Sequence, residues 1–440
     1  GHGKNCRCLW PILLGHYWQK ISVRNLSSMK PALLFLSHRI PFPPNKGDKI
    51  RSFHLLKYLS EHYRVYLGAF IDDAEDWQYR EQVREYCEDC CFVRLNQRRA
   101  RLKSLFGLIT GEPLTLPYFF SAALARWTRS VTTEQGIQRA VIYSAAMAQY
   151  VSGTELTIER KLIDFVDIDS DKWRQYSARK RWPMSWIYSR EAKRLLAYER
   201  HVAVEFDASL FVSSAEAAMF QSLAPEVASK TGFYNNGVDV DYFSPDTDLV
   251  TPYSPQDNVL VFTGAMDYWP NEDAVCWFAE QVFPSLKKVD SSLKLYIVGS
   301  NPTETVQSLE KISGVCVTGR VLDVRPYLKF AVAAVAPMRV ARGIQNKVLE
   351  AMAMAKPVIV TPQALEGIAA EHGQDVLVAD DEAALSALVE QVLAGQFSSI
   401  GKTAREKVTR DFSWEDNLPN VTSWLEDGRA SVSGGAGHEV

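Results

Sequence analysis

Segment 342–361 holds residues whose types and spacing suit chemistry on a ligand. It reads RGIQNKVLEAMAMAKPVIVT, in which a glycine turn and a helix start precede a buried strand. Lys347 and Glu350 are three residues apart and therefore share one face of the helix. Free N–H groups at a helix start, with Arg342 and Lys347 beside them, suit a diphosphate. A carboxylate one turn further, at Glu350, suits the two hydroxyls of a ribose.

The same spacing has a simpler interpretation. An ordinary strand–helix–strand crossover also places a Lys and a Glu on one helix face, where they form a surface pair worth little energy. The segment alone leaves both interpretations open, so other parts of the chain must decide.

A second group of candidate residues is acidic. Asp164, Asp167, Asp169 and Asp171 crowd the end of a predicted strand. Four carboxylates so close could bind a divalent ion. Alternatively, Asp167 or Asp164 orients a substrate hydroxyl, while Asp169 or Ser170 caps a helix. We place Asp167 among the candidate catalytic residues.

Two further stretches carry candidates for ligand binding. Loop 41–51, PFPPNKGDKIR, follows the first predicted strand, and its Gly47 would let the backbone approach a sugar or a diphosphate. A plain Pro/Gly turn is the alternative. Arg320 in TGRVLDVRPYL is another cation for a diphosphate, whereas Arg325 in the same stretch could equally be structural.

These residues must be positioned by an α/β fold. Short apolar runs alternate with longer amphipathic runs from Pro31 onward, which is the pattern of β-α-β units. Nearly all-apolar runs are typical of buried parallel strands. The pattern predicts strands at 32–36, 65–70, 140–143, 161–165, 208–212, 259–263, 293–298, 315–318, 332–336, 357–361 and 376–379, with helices over 49–61 and 171–201.

Two series of elements indicate two domains. A chain of 440 residues with 47% apolar residues can bury a core in each. The Pro-rich stretch 242–258 between the series is read as a linker. Two doubly wound sheets that face each other hold a ligand in the crevice at the carboxyl ends of their strands. The predicted segments are a tag or flexible extension (1–28), a first domain (29–241), the linker, a second domain (259–410), a C-terminal helix that could return to the first domain (411–427) and a disordered tail (428–440).

Composition and charge exclude some classes of function. A net charge of −3 argues against a dedicated nucleic-acid binder. Seven scattered cysteines fit a reducing compartment, and no apolar run approaches the roughly 18 residues of a membrane span. Stretch 172–200 holds nine Lys or Arg against two Glu, with three Trp, and 94–103 holds five more cations. Such runs form either a solvated face or a surface for anionic lipid.

Segment 342–361 also resembles the C-terminal signature of the family 4 retaining glycosyltransferases, in which two glutamates eight apart precede an AMA and a Pro- and Val-rich strand. The stretch 234–245, YNNGVDVDYFSP, resembles the Asn-Gly-Val-Asp turn of that family, and includes Asn236. Together with 41–51, 161–173 and 264–271, the chain from Met29 to Asp427 is similar to the sugar transferases of exosortase (PEP-CTERM) and exopolysaccharide loci.

The resemblance implies a GT-B fold with two Rossmann-like domains, the first facing the acceptor and the second binding a nucleotide-diphosphate sugar of UDP or GDP. It implies a hexosyltransferase without metal or other cofactor, which transfers with retention to a growing, lipid-linked exopolysaccharide. The expected location is the bacterial cytoplasm, with peripheral attachment to the inner face of the membrane and no nucleic-acid partner. A nucleotide-sugar epimerase or hydrolase, and a non-catalytic nucleotide-binding module, are the alternatives.

The chain departs from the family pattern at two places. Arg342 replaces the first glutamate of the pair, so Gly343 and Ile344 are expected to contact the donor sugar through their backbone amides. The loop after the first strand of the second domain lacks the Arg and Lys of many relatives. The predicted catalytic residues are Arg342, Lys347 and Asp167, and the predicted substrate-binding residues are Glu350, Gly343, Ile344, Gly47, Gly264, Asn271, Arg320 and Asn236, with no metal ligand.

Overall fold

The computed structural model of this protein describes residues 30–44, 46–341 and 343–429. The predicted extension 1–28, the tail beyond residue 429 and the candidate Arg342 lie outside the described residues. Two compact units are present. One runs up to Phe165 and takes in Asp169–Ala208, and the other holds Val166–Ile168 and continues from Ser209.

The first sheet has seven strands in the order β3-β2-β1-β4-β5-β6-β7, and every pair whose register is described is parallel. β1 is the sequence ALLFLS, and its Leu33, Leu34 and Leu36 are completely buried, as expected for a strand covered on both faces. The strands are Ala32–Ser37 (β1), Arg64–Ile71 (β2), Asp89–Arg94 (β3), Arg139–Tyr143 (β4), Arg160–Val166 (β5), Ala208–Phe211 (β6) and Thr231–Phe233 (β7).

Helices connect these strands. Short 3-10 turns occupy Ala74–Tyr79, Ala145–Tyr150 and Pro225–Lys230. The α-helices are Gly47–His62 (α1), Arg80–Arg84 (α2), Gln97–Ser104 (α3), Gly107–Thr110 (α4), Thr115–Tyr118 (α5), Ala122–Glu134 (α6), Asp169–Arg179 (α7), Met184–Glu205 (α8) and Ser214–Leu223 (α9).

The second sheet has six parallel strands in the order β10-β9-β8-β11-β12-β13. Its strands are Asn258–Thr263 (β8), Leu293–Val298 (β9), Val315–Gly319 (β10), Ala333–Ala336 (β11), Val358–Val360 (β12) and Leu377–Val378 (β13). Its α-helices are Trp269–Trp277 (α10), Phe283–Val289 (α11), Glu304–Ser308 (α12), Arg325–Phe330 (α13), Asn346–Ala353 (α14), Glu382–Leu393 (α15) and Ile400–Asp411 (α16), followed by Trp414–Asn417 (α17) and Pro419–Asp427 (α18).

Each sheet has a switch point, where the strand order reverses direction. The chain leaves β1 towards β2 and β3 and then returns to β4 on the other side; in the second sheet it leaves β8 towards β9 and β10 and returns to β11. Ligands of doubly wound sheets bind outside the carboxyl ends of the strands at such points. The loops after β1, β4, β8 and β11 are therefore where function is expected.

The sequence pattern was wrong about several elements. The predicted helix 171–201 is two helices, α7 and α8, separated at Pro183, because proline lacks an N–H and disfavours the helical conformation of the preceding residue. β3 and β7 were not predicted: β3 is a half-exposed edge strand and β7 has three residues. No helix in the described part of the chain is long and apolar enough to cross a membrane.

Candidate active site

Helix α14 carries two of the predicted site residues at the switch point of the six-stranded sheet. Its Val348, Leu349 and Met352 are buried in the core, which leaves Lys347 and Glu350 together on another face. α14 follows β11, and β11 pairs with β8 through Ala333 opposite Leu260. Lys347 and Glu350 therefore share one face of α14, as their spacing predicts. The fold places this face beside the carboxyl ends of β8 and β11.

Lys347 lies over the sheet and contacts the first turn of α10, the helix that follows β8. Its Nζ donates to Asn271 Oδ1 at 2.6 Å and lies 3.7 Å from the sulfur of Met338. The ammonium also lies 4.9 Å from the centre of the Phe262 ring. These contacts hold the cation in one orientation at the switch point.

Gly264 and Asn271 form the opposite wall of this site. Asn271 is buried, and its Nδ2 donates to the carbonyl of Ala265 at 2.9 Å. A Cβ at residue 264 would lie 2.7 Å from that same Nδ2 and 3.5 Å from Lys347 Cε. Because nothing larger than a hydrogen atom fits there, Gly264 lets Asn271 reach Lys347.

The ionisation of Lys347 and Glu350 is perturbed. Burial, only partly offset by Glu350, lowers the pKa of Lys347 to about 8. Burial, only partly offset by Lys347, raises the pKa of Glu350 to about 7. Protein surroundings therefore disfavour both charges, and two such groups at a switch point are a mark of a functional site.

The carboxylate of Glu350 makes no hydrogen bond or ion pair within the part of the chain that the structure describes. Its charge contributes to raising the pKa of Tyr242, after burial of the phenol and the charge of Asp323. A carboxylate with four lone-pair positions can accept two hydroxyl protons from a ligand. Glu350 therefore has the hydrogen-bonding capacity that a ribose requires.

Two more predicted residues lie in the turn before α14, and a third, Asn236, lies next to the start of that helix. Gly343 has φ +65, a left-handed conformation that favours glycine, and its carbonyl accepts from Gln345 Nε2 at 3.1 Å. The Ile344 side chain is buried in the core, so only its backbone can contact a ligand. Asn236 is also buried, and its Nδ2 lies 3.4 Å from Oδ1 of Asn346, the first residue of α14.

Arg320 is at the same edge of the sheet but further from the switch point. It follows β10 directly and its side chain is exposed. Two strand spacings separate β10 from β8, about 10 Å. Arg325 has a structural role, since it bonds Asp323, donates to the carbonyl of Tyr242 at 3.1 Å and lies over the Tyr242 ring.

Sequence reasoning missed Arg339. It follows β11, at the switch point, and its Nε donates to Asp273 Oδ2 at 3.0 Å while its guanidinium lies over Trp277. Its side chain remains about half exposed. The sequence signal was its place two residues after Pro337, at the end of an apolar run, where cations of a phosphate site are expected.

The switch point of the seven-stranded sheet gathers a different set of residues. His38, after β1, stacks on Tyr143 of β4, and its Nε2 lies 3.4 Å from Asp48 Oδ2. Gly47 is exposed at the first position of α1, next to Asp48. His38 was not predicted, and a lone histidine after a strand gives little signal by itself.

The four acids near the end of β5 do not form one cluster. Asp164 is completely buried and binds Arg51, with Nε and Oδ2 2.8 Å apart. Asp171 accepts from Arg174 Nε at 2.6 Å and Asp169 from Lys172 Nζ at 3.2 Å, whereas Asp167 follows β5 and is partly buried. Among the described residues, no group of three His, Cys, Asp or Glu could hold a metal ion.

Comparisons with known proteins agree with this geometry. Residues 257–395 match the family model described as glycosyl transferases group 1. This range contains Gly264, Asn271, Arg320, Lys347 and Glu350. No curated protein sequence matches the chain significantly.

Solved structures show the fold. A glycosyltransferase from Rickettsia africae superposes with a TM-score of 0.63 at 14% identity, over 91% of this chain and 99% of that one. The sucrose-phosphate synthase of Thermosynechococcus elongatus gives 0.64 at 15% identity, over 90% and 99%. The Anabaena protein HepE in complex with UDP-glucose gives 0.62 at 14% identity, over 90% and 99%. The chain thus has the two-domain, Rossmann-like GT-B fold, and its residues 257–395 are similar to the glycosyl transferases group 1.

Proposed function

We propose that this protein transfers a hexose from a UDP- or GDP-sugar to a growing, lipid-linked exopolysaccharide, with retention of configuration. The group 1 domain and the fold support glycosyl transfer. The structures of HepE with UDP and with UDP-glucose support a nucleotide-sugar donor. The acceptor and the stereochemistry are inferred from the resemblance to family 4 enzymes of exopolysaccharide loci.

One observation carries the proposal: Lys347 and Glu350 lie together at the switch point with both charges disfavoured by burial. A bound diphosphate would stabilise the ammonium, and ribose hydroxyls would stabilise the carboxylate. Binding of the donor therefore offsets the free energy that burial of the Lys347 and Glu350 charges costs.

The roles of the residues follow from their chemistry. Glu350 binds the ribose hydroxyls, and Lys347 with Arg342 neutralises the diphosphate as it departs. Backbone N–H groups of Gly343 and Ile344, just before α14, hold the donor sugar. Arg320 and Asn236 supply further polar contacts, and Gly47 and Asp167 belong to the acceptor side.

Stabilising the leaving diphosphate is the main catalytic step that these residues can perform. A nucleotide-sugar bond breaks with negative charge developing on the phosphate, and fixed cations lower the energy of that state. We propose that the departing phosphate takes the acceptor proton. The protein cations replace a divalent metal in this scheme.

The test is a thermal-shift screen of the whole protein with UDP, GDP, ADP and their common sugar conjugates, with and without EDTA. We expect one nucleotide to raise the unfolding temperature selectively, with no effect of EDTA. An EDTA-sensitive shift would contradict the metal-free scheme, and no shift with any nucleotide would contradict donor binding.

A substitution at Glu350 tests whether the nucleotide binds at this site. Glu350→Ala should weaken nucleotide binding at least tenfold, about 1.4 kcal/mol, measured by isothermal titration. Glu390→Ala, on the exposed face of α15, removes the same group from the same unit and should bind like the wild type. Unchanged affinity in Glu350→Ala would show that the ribose assignment is wrong.

The acceptor half of the proposal has its own assay. With the identified donor and a bacterial lipid extract, labelled sugar should appear in the lipid fraction with the anomeric configuration of the donor, read by NMR. Release of free sugar alone would instead indicate a hydrolase.

A further inference from the structure

The described structure concentrates its exposed apolar side chains in two segments. Eight of the fifteen large hydrophobic residues that it leaves exposed lie between residues 102 and 120 or between 182 and 186. Ile109 is 82% exposed and Trp182 is 81% exposed. The eight are Leu102, Leu105, Phe106, Ile109, Phe120, Trp182, Met184 and Trp186.

Hydrogen bonds hold the two segments side by side. Arg190 of α8 donates to the carbonyl of Gly107 at 2.7 Å and to that of Glu112 at 3.2 Å. The next residue, the buried Glu191, accepts from the amides of Leu114 at 2.7 Å and Thr115 at 3.0 Å. The turn after α4 is therefore fastened to α8.

These bonds bring the exposed groups of the two segments to one surface. Trp186 precedes Arg190 by one helical turn on α8, so it lies on the same helix face as the residue that holds Gly107. On the other segment, Lys103 Nζ donates to the carbonyl of Phe120 at 3.0 Å and lies 4.6 Å from the centre of its ring. α3, α4 and the start of α8 thus present their exposed apolar groups together.

The charges around these groups are almost all positive. Six exposed cations accompany them against one exposed acid, Glu112, in a chain whose net charge is −3. The six are Arg98, Arg99, Arg101, Lys103, Lys180 and Arg181. We define the eight apolar residues and these six cations as the docking surface.

We propose that the docking surface binds an anionic lipid bilayer, with Phe106, Ile109 and Trp186 inserted at the level of the head groups. Tryptophan and aliphatic residues beside Lys and Arg are the combination that suits this interface, because rings and chains leave water while cations meet lipid phosphates. Stretches 172–200 and 94–103 were expected to supply cations to such a contact, and the proposal adds the apolar residues of α3 and α4, which the sequence pattern did not single out. This inference rests on the proposed function in that a lipid-linked acceptor is presented at such a surface.

The experiment is flotation of the whole protein with vesicles of phosphatidylcholine and phosphatidylglycerol, and with vesicles of phosphatidylcholine alone. Each cation near an anionic surface is worth about fivefold in partitioning, so we expect strong binding to the first vesicles, loss of binding to the second, and release by salt. Absence of binding to the anionic vesicles would overturn the proposal.

Two double variants, each with a matched control, test whether the lipid binds at the docking surface. Phe106→Ser with Ile109→Ser should lower partitioning at least about tenfold, and Val250→Ser with Leu322→Ser, which are even more exposed but lie elsewhere, should leave it unchanged. Arg99→Gln with Arg101→Gln should lower it by about twenty-fivefold, against no effect of Lys288→Gln with Lys402→Gln, which are exposed cations of the other unit. Equal loss in the controls, or none in the test variants, would overturn the location.

Two readouts separate this inference from its rivals. Nucleotide-induced thermal shifts should be the same in all these variants, so vesicle binding without any nucleotide shift would contradict the proposed function and leave the docking surface standing. Sedimentation without lipid tests a second copy of the chain as occupant: a dimer abolished by Phe106→Ser with Ile109→Ser would overturn the lipid proposal.

Discussion

The charged side chains at the two switch points of this protein differ in their ionic partners and in the direction in which their pKa values are shifted. At the seven-stranded sheet, the buried Arg51 binds the buried Asp164 at 2.8 Å, and the partly buried Arg39 binds Asp48 at 2.7 Å. Burial opposes ionisation of Asp48, but His38 and Arg39 together hold its pKa well below its usual range. These charges are satisfied by the protein itself.

At the six-stranded sheet, burial shifts the pKa values of the charged groups more than their mutual attraction does. Lys347 donates to an amide oxygen rather than to a carboxylate, and the pKa values of both Lys347 and Glu350 move towards neutrality. The comparison teaches that paired buried charges build a scaffold, whereas unpaired ones are available to a ligand.

The largest expected effect is on stability, at the scaffold. Asp164→Ala leaves the Arg51 guanidinium buried without its carboxylate and should lower the free energy of unfolding by about 3–5 kcal/mol, measured by urea titration with circular dichroism. Lys402→Ala, which breaks the exposed pair with Glu406, should change it by less than about 0.5 kcal/mol. If Asp164→Ala lowered the free energy of unfolding as little as Lys402→Ala does, the Arg51–Asp164 pair would not be part of a stabilising scaffold.

The next effect is on binding, at the ligand site. Lys347→Met keeps the length of the side chain beside Phe262 and Met338 but removes the cation, so UDP affinity should fall about tenfold. The free energy of unfolding should change by no more than about 1 kcal/mol, because burial already penalises the ammonium. A variant that unfolds like Asp164→Ala would make Lys347 part of the scaffold.

A pH profile of UDP-glucose binding sharpens the comparison further. Glu350 becomes a carboxylate as pH rises through about 7, and Lys347 loses its proton as pH rises through about 8. Binding that needs both charges is therefore strongest between these values and about fivefold weaker at pH 6 and pH 9. Isothermal titration should show the acid limb disappear in Glu350→Gln and the alkaline limb disappear in Lys347→Met; a flat wild-type profile would contradict both assignments.

The smallest effect is expected at Gly264. Its replacement by Ala puts a methyl group 2.7 Å from Asn271 Nδ2, which displaces Asn271 from Lys347 and should weaken UDP binding by about threefold. The double variant Gly264→Ala with Asn271→Ala should bind no worse than Asn271→Ala alone, since both changes act through one contact. Additive losses would show that Gly264 acts on the ligand directly.

Parts of the fold were predictable because local pattern and tertiary environment agree. β9 matches its predicted range and β8 begins one residue before its own, since nearly all-apolar runs have few alternatives to a buried parallel strand. β3 was not predicted because an edge strand with half-exposed residues lacks such a run. The region 171–201 was predicted as one helix because the helical periodicity of its apolar residues continues across Pro183.

The candidate site was predictable in its helix but not in its contacts. Lys347 and Glu350 are three residues apart, so helical geometry alone puts them on one face. Asn271 is 76 residues from Lys347, and Arg339 is 66 residues from Asp273. Such contacts arise only when β8 and β11 become neighbours in the sheet.

Local sequence was enough to predict the parallel α/β architecture, the helix face shared by Lys347 and Glu350, and the turn at Gly343, because each depends on residues within a few positions of one another. Only the tertiary structure shows that Asp164 belongs to the scaffold, because its partner Arg51 is 113 residues away in the chain, whereas Glu350 has no such partner among the described residues. It also brought the exposed apolar groups of α3, α4 and α8 to one surface, because Arg190 donates to, and Glu191 accepts from, the backbone of a segment about 80 residues away in the chain.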